Sequence, residues 1–542
     1  MKKYLSLLLV FVMALSALTG CGTTSENTNV DVTPNESVTT PDNTEETLDE
    51  TVITLSNSEI LVNNVNVLGQ KGGAVYAAND IIYYEDGKDF TYGAGTEEDA
   101  SSKELADAHT VVHITQPGRY VLTGELAEGQ ILVDLGEEAK NNPEAVVTLV
   151  LNQVHMTCKV APAILFKNVY ECNTVDASKA TKIVDTSKAG ANLVISDDTF
   201  NIINGSYVSK IYEPDSVKLS ADGTKVEESK TLYKYDGAIT SKMSMNIDCG
   251  DFGSGILVLK AENEGISSDM HLTINGGCLQ IESNEDCINA SEDNVSVITI
   301  NGGTISAIVH YMEGDGIDSN GWVVINGGSV MAQASSYSMD SGIDADKGII
   351  INDGKVIATG NMLDRISDST QNYVVLNFVE TQKPGQYYFR TNETNNGSNP
   401  VDIVAYNVTN EFTCMIISNS LLTAGEYTLW YGDKQLQGIK VDSVMGGMMP
   451  PMSGERPDNF DPNTMKPDMD DMTPPERPEG GEFTPPKGGF EGGYPDRNPD
   501  GTEGLGRGPG GHGQFDLENA EVSKVFTITD GGNYFANISF IE

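Results

Sequence analysis

The chain has 542 residues, 39% of them hydrophobic, with 56 glycines, 21 prolines and a formal net charge of −46. The length predicts more than one domain, and the glycine and proline content predicts many turns and little helix. The hydrophobic fraction is too low for a polytopic membrane protein, and the charge argues against nucleic acid and anionic membrane surfaces, leaving cations or neutral ligands as partners.

The N-terminus begins with "MKK", continues through the apolar "YLSLLLVFVMALSA" and ends in "LTGC" at Cys21. The apolar run is too short to favour a spanning helix and suits the hydrophobic region of a signal peptide. "LTGC" resembles the lipobox of bacterial lipoproteins, whose cysteine becomes the first residue and carries a diacylglycerol. That resemblance implies that residues 1–21 are a lipoprotein signal. It also implies an extracytoplasmic protein held to the cell membrane only through a lipid on Cys21. A plain secretory signal with a chance cysteine is the other reading. Residues 22–50 are polar, acidic and free of aromatics, as a disordered tether would be. Residues 51–135 include the strand-like "HITQPGRYVLTGEL" and are expected to form an N-terminal β region that caps an otherwise open sheet edge.

Residues 136–371 carry an internal repeat. "TINGGCLQI", "TINGGTISA", "VINGGSVMA" and "IINDGKVIA" place asparagines at 275, 301, 326 and 352, in steps of 26, 25 and 26. Between them runs a second phrase: "DGAITS", "EGISSD", "DCINAS", "DGIDSN" and "SGIDAD". Ile298, Ile300, Ile305 and Ala307 alternate with polar or small residues, as do Val323, Ile325, Val330 and Ala332. Period-two alternation broken by glycine turns means short half-buried strands. Three such strands in about 25 residues make one coil of a parallel β-helix, each coil bonding to the next at about 4.8 Å. The expected fold class is therefore all-β, a parallel β-helix.

After residue 371 the pattern changes. "YVVLNFVE", "GQYYFRTN", "VDIVAYNV", "EFTCMIIS" and "GEYTLWYGD" are aromatic-rich and lack the NGG turn. They predict a small antiparallel β domain over 372–443, rejoined by the strand-like 518–542. The intervening 444–517 is rich in proline, glycine, methionine and acids without periodicity, hence disordered. The six cysteines other than Cys21 contain no CxxC pair, and their spacing does not suggest zinc. Buried free thiols are expected, although export would permit disulfides.

"GRYVLTGELAEGQILVDLG", "VTLVLNQVHMTCKVAPAILFKN", the DGI phrases and the NGG repeats resemble bacterial calcium-binding β-helix proteins with a carbohydrate-binding domain, over roughly residues 110–365. The resemblance implies a right-handed β-helix of the pectate-lyase type. It further implies bound calcium and binding of plant-type polysaccharide without cleavage; calcium could bridge the carboxylates of a uronic-acid-containing chain. Cys287 stands where other phrases have glycine, and Ser341 where they have an acid.

Aligned on the phrase glycine, Asp236, Glu264, Asp286, Asp315 and Ser341 precede it, while Ile239, Ser267, Asn289, Asp318 and Asp344 follow two places later. Asp318 and Asp344 should therefore sit about 5 Å apart, repelling by roughly 3 kcal/mol at an effective dielectric of 20. Asp340 and Asp346 are expected to join the same corner. Irregular carboxylate ladders suit Ca²⁺ better than Mg²⁺ or zinc, which makes Glu264, Asp286, Asp315, Asp318, Asp340, Asp344 and Asp346 candidate ligands. A solvated acidic face, or side chains bonding turn amides, is the plainer alternative. The NGG asparagines read as structural, in an internal ladder or in left-handed turns.

Tyr311 and Tyr337 each stand five places before a phrase glycine, and Trp322 opens the next strand. These three are the candidate carbohydrate contacts; aromatics that merely shield the core are the alternative. Three functions follow. The first is a polysaccharide-binding surface lipoprotein without catalysis. The second is a polysaccharide lyase of pectate type, with calcium acidifying a uronate and Lys347 as base. The third is a structural or adhesive surface protein.

Overall fold

The computed structural model describes residues 50–310, 313–392, 400–442 and 521–541. The signal and Cys21, the tether up to residue 49, Tyr311 and the 444–517 segment lie outside the described residues. Among the described residues, helix is confined to Lys103–Asp107 and three short 3-10 turns; the rest of the regular structure is strand. The chain is all-β, with large mixed sheets of 25 and 8 strands and two small hairpin sheets.

The repeats pair in parallel and in register. A first ladder runs Ala191–Ile195, Met245–Cys249, Leu272–Ile274, Val297–Ile300, Trp322–Ile325, Gly348–Ile351. A second runs Phe200–Gly205, Ile256–Ala261, Cys278–Ser283, Thr304–Val309, Ser329–Gln333, Lys355–Gly360. The long strand Val147–Thr157 begins both. A third ladder carries the DGI phrases: Gly129–Asp134, Ile164–Asn168, Gly237–Ser241, Glu264–Ser268, Ile288–Ala290, Asp318–Ser319, continued by an Ile317–Ile343 bridge.

Register follows from burial. Ile274, Ile300, Ile325 and Ile351 are fully buried and aligned, and a one-residue slip would expose all four. Each fully buried isoleucine contributes about 1.5–3 kcal/mol. The buried apolar cluster runs without interruption from Ile53 through these repeats to Ile416. The second glycine of NGG meets two demands. Gly303 has φ +91°, and a Cβ there would stand 2.7 Å from the Gly277 carbonyl oxygen; Gly328 repeats the arrangement over Gly303.

Near the N-terminus, Val75–Ala78 pairs antiparallel with Thr110–Ile114 at the edge of the third ladder's sheet. Thr51–Leu55 pairs in parallel with Gly118–Leu126. At the other end, Lys355–Gly360 pairs antiparallel with Phe412–Asn419, which in turn pairs with Tyr373–Gln382. A second core here is aromatic, with Phe378 and Phe412 in edge contact at 5.4 Å. One pairing departs from the antiparallel expectation: Gly532–Phe540 runs parallel to Tyr373–Gln382. Parallel neighbours need a long connection, which residues 383–531 supply. Of the six cysteines among the described residues, Cys158, Cys287 and Cys414 are buried, as expected, and Cys172, Cys249 and Cys278 are half-buried.

Candidate functional site

The third ladder sets the acids in rows. Asn289 and Asp318 are Cα partners, and the bridge one residue earlier, Ile317 with Ile343, brings Asp344 alongside. Carboxylate oxygens of Asp315, Asp318 and Asp344 lie within 4.8 Å of one another. At that separation each ionised pair repels by about 3–4 kcal/mol at an effective dielectric of 20. Burial first, then the Asp344, Asp340 and Asp318 charges, push the Asp315 carboxyl well above its ordinary range. Burial first, then Asp315, Asp318 and Glu264, do the same to Asp286. Backbone amides hold these groups in place: Ser341 N–H donates to Asp315 Oδ1 at 2.5 Å and Asp315 N–H to Asp286 Oδ1 at 2.7 Å.

Glu264 extends the row inward. Its carboxyl is buried, and burial, followed by the Asp236 charge, pushes it up to about 8. Asn289 Nδ2 donates to Glu264 Oε1 at 2.8 Å, but Glu264 Oε2 and Asn289 Oδ1 are both buried with no hydrogen-bond partner. Orphaned buried acceptors cost free energy, and either a proton or a cation relieves them. Hard oxygens in irregular array, with two acceptors to spare, fit Ca²⁺. Sequence reasoning left Asn289 out of the ligand set, although it holds the same phrase position as Asp318 and Asp344.

The remaining expected ligands are not drawn into the three-carboxylate group. Asp340 Oδ2 accepts the Gly314 N–H at 2.6 Å and the Ser338 hydroxyl, so it serves as a turn brace. Asp346 stands near Asp364, a group missed in the sequence; Asp364 accepts the Ala345 N–H at 2.9 Å and is raised by burial first. Lys347 holds its ammonium 4.8 Å above the Trp322 ring. Trp322 opens a first-ladder strand and packs with Val297, Val324 and Ile350. Tyr337 follows the second ladder and is half exposed.

The NGG asparagines form a ladder, but an external one. Asn301, Asn326 and Asn352 each donate through Nδ2 to the preceding asparagine's Oδ1 at 2.8–2.9 Å, and Asn275 donates to Asp248 Oδ1 at 2.7 Å. The left-handed positions belong to Gly277, Gly303, Gly328 and Gly354.

Residues 108–374 match a family model described as carbohydrate-binding domain-containing protein. No curated protein matches the chain. Among solved structures, the polysaccharide lyase-like protein from C. thermocellum, a gadolinium derivative, aligns at 19% identity and a TM-score of 0.31, over 56% of this chain and 83% of that one.

Proposed function

We propose that this protein is a lipid-anchored surface protein that binds polysaccharide without cleaving it, through a calcium-bearing right-handed parallel β-helix spanning residues 136–371. The observation that carries the reading is the family match over 108–374, which covers the three parallel ladders and the acidic corner together. The ladders are read as the three faces of the β-helix. Residues 51–135 then cap one end, and 372–443 with 518–542 form the unit at the other. Asp315, Asp318 and Asp344 would hold calcium, with Asp286 and Asn289 one repeat earlier and Glu264 one repeat before those. Bound calcium would cancel their mutual repulsion and fix the corner. The binding-only reading is supported by Lys347, whose ammonium faces the Trp322 ring.

Sedimentation of the full mature chain with insoluble cellulose and with pectin, in calcium and in chelator, tests this function. Retention without release of unsaturated product is expected. Release of product from polygalacturonate, abolished by Lys347→Ala, would establish the lyase instead, and no retention on any glycan would leave a structural or adhesive role. The anchor is tested separately: Cys21→Ser should move the protein from the detergent phase to the aqueous phase.

A further inference from the structure

A groove of 610 Å³ runs along the outer face of the first ladder, away from the acidic corner. Its floor carries Asn246, Thr273 and Thr299 from successive strands and then Val324, with the asparagine ladder along one side. Its roof is the strap 182–187. The strap is tied at both ends: Lys182 pairs with Asp368 at 2.8 Å, and Thr186 hydrogen-bonds Thr273 Oγ1 at 2.7 Å while accepting from Asn246 Nδ2 at 2.8 Å. Between these ties Val184 packs on Val324, Val297 and Ile350, so the roof is fixed to the floor.

We infer that this groove is the polysaccharide site, and that it takes a neutral chain lying along the stacking direction. The assignment rests on the polysaccharide-binding reading and gives that reading a place and a ligand class. A primary amide has two N–H donors. Asn301 and Asn326 spend one each on the ladder and are exposed, which leaves one N–H per repeat facing outward. Repeats pair at about 4.8 Å, and an extended chain of pyranose rings advances by a similar length per ring. Its hydroxyls both donate and accept, as such a row requires. The charges argue for a neutral chain: Lys182 is already paired with Asp368, while Asp185 and Asp248 line the groove. A uronate or phosphate would meet those carboxylates without a free cation.

An aromatic platform stands at the N-terminal end of the amide row. Asp248 aligns with Asn275, and the chain then makes a longer turn in place of NGG. That turn presents Phe252, 83% exposed. Asp197 anchors the backbone of this turn, accepting the Phe252 and Ser254 N–H groups at 3.0 Å each. A solvent-facing ring on an anchored turn, following the strand that begins the amide row, offers a sugar face an apolar surface to stack on.

The experiment titrates the full mature chain, in calcium, with a soluble β-linked glucose hexasaccharide and with a galacturonate oligomer of equal length. Phe252→Ala removes the platform without touching the core, and Thr299→Trp fills the groove. Each is expected to weaken glucan binding about tenfold or more with unchanged circular dichroism. Wild-type glucan binding that both variants retain in full would overturn the groove assignment while leaving polysaccharide binding intact. Wild-type binding of the galacturonate oligomer alone would overturn the neutral-chain assignment. A wild type that binds neither oligomer, nor any insoluble glycan, would overturn the functional reading itself. If Thr299→Trp misfolds, Phe252→Ala decides alone, because its ring makes no part of the buried cores.

Discussion

Asn289 donates its side-chain amide to one oxygen of Glu264 at 2.8 Å, and the free oxygens of both side chains are buried without partners. Two acceptors confined together are stable only with a proton or a cation between them. Glu264→Gln replaces the acid by a group that carries its own N–H. In chelator the variant should melt close to the wild type, because burial already keeps Glu264 protonated up to about pH 8. In calcium the wild type should gain melting temperature and the variant should gain less. Equal calcium increments in the two proteins would remove Glu264 from the ligand set.

The three carboxylates of Asp315, Asp318 and Asp344 give a prediction of opposite sign with and without metal. Asp318→Asn removes a like charge from a half-buried cluster. Without calcium it should stabilise the fold by about 1–3 kcal/mol, measured by urea unfolding in chelator. With calcium it removes a hard anionic ligand, and affinity by calorimetric titration should fall tenfold or more. A variant that is destabilised in chelator would show that the acids brace turns rather than repel one another.

What the sequence disclosed here was local or periodic. Ile300, Ile325 and Ile351 betray their strand by alternation, and Gly303 and Gly328 mark turns because no other residue tolerates both the left-handed backbone and the approach of the repeat below. The rows of acids followed once the phrase glycines were aligned. What stayed hidden depended on side-chain direction and on segments without period. Trp322 is four residues from Asp318 in sequence, yet it belongs to a strand of a different ladder. Asp340 stands outside the group of three carboxylates and accepts the Gly314 amide, a placement its position in the phrase does not disclose. The strap 182–187 has no repeat partner, so nothing in its residues announced that it roofs the asparagine ladder.

The same periodicity makes the core testable. Ile325 is fully buried between Ile300 and Ile351. Ile325→Ala should cost about 2–5 kcal/mol in urea unfolding, the range for a truncated core isoleucine. Gly303→Ala should also destabilise, by more than about 1 kcal/mol, since its Cβ would lie 2.7 Å from the Gly277 carbonyl at φ +91°. The control is Gly223→Ala, which shares a positive φ but has no atom near its Cβ. A Gly303 effect no larger than that of Gly223 would mean that backbone strain alone, and not the approach of the neighbouring repeat, selects glycine in the NGG turn.

His271 adds a pH dependence unrelated to the acids. It is 2% exposed, and its Nδ1 accepts the Val297 N–H at 3.1 Å, which places the ring proton on Nε2. Burial holds its pKa down at about 4, against 6.5 for a free histidine. The folded chain therefore binds fewer protons than the unfolded chain between those values. The stability this site contributes is complete above pH 6.5 and is lost as pH falls towards 4, by about 3 kcal/mol in all. Protonating Nδ1 would also break the bond to Val297. His271→Asn keeps an acceptor in place of Nδ1 and cannot be protonated. Urea unfolding at pH 7 and at pH 4.5 should show a smaller acid loss for the variant than for the wild type. Equal losses would place the acid sensitivity elsewhere in the chain.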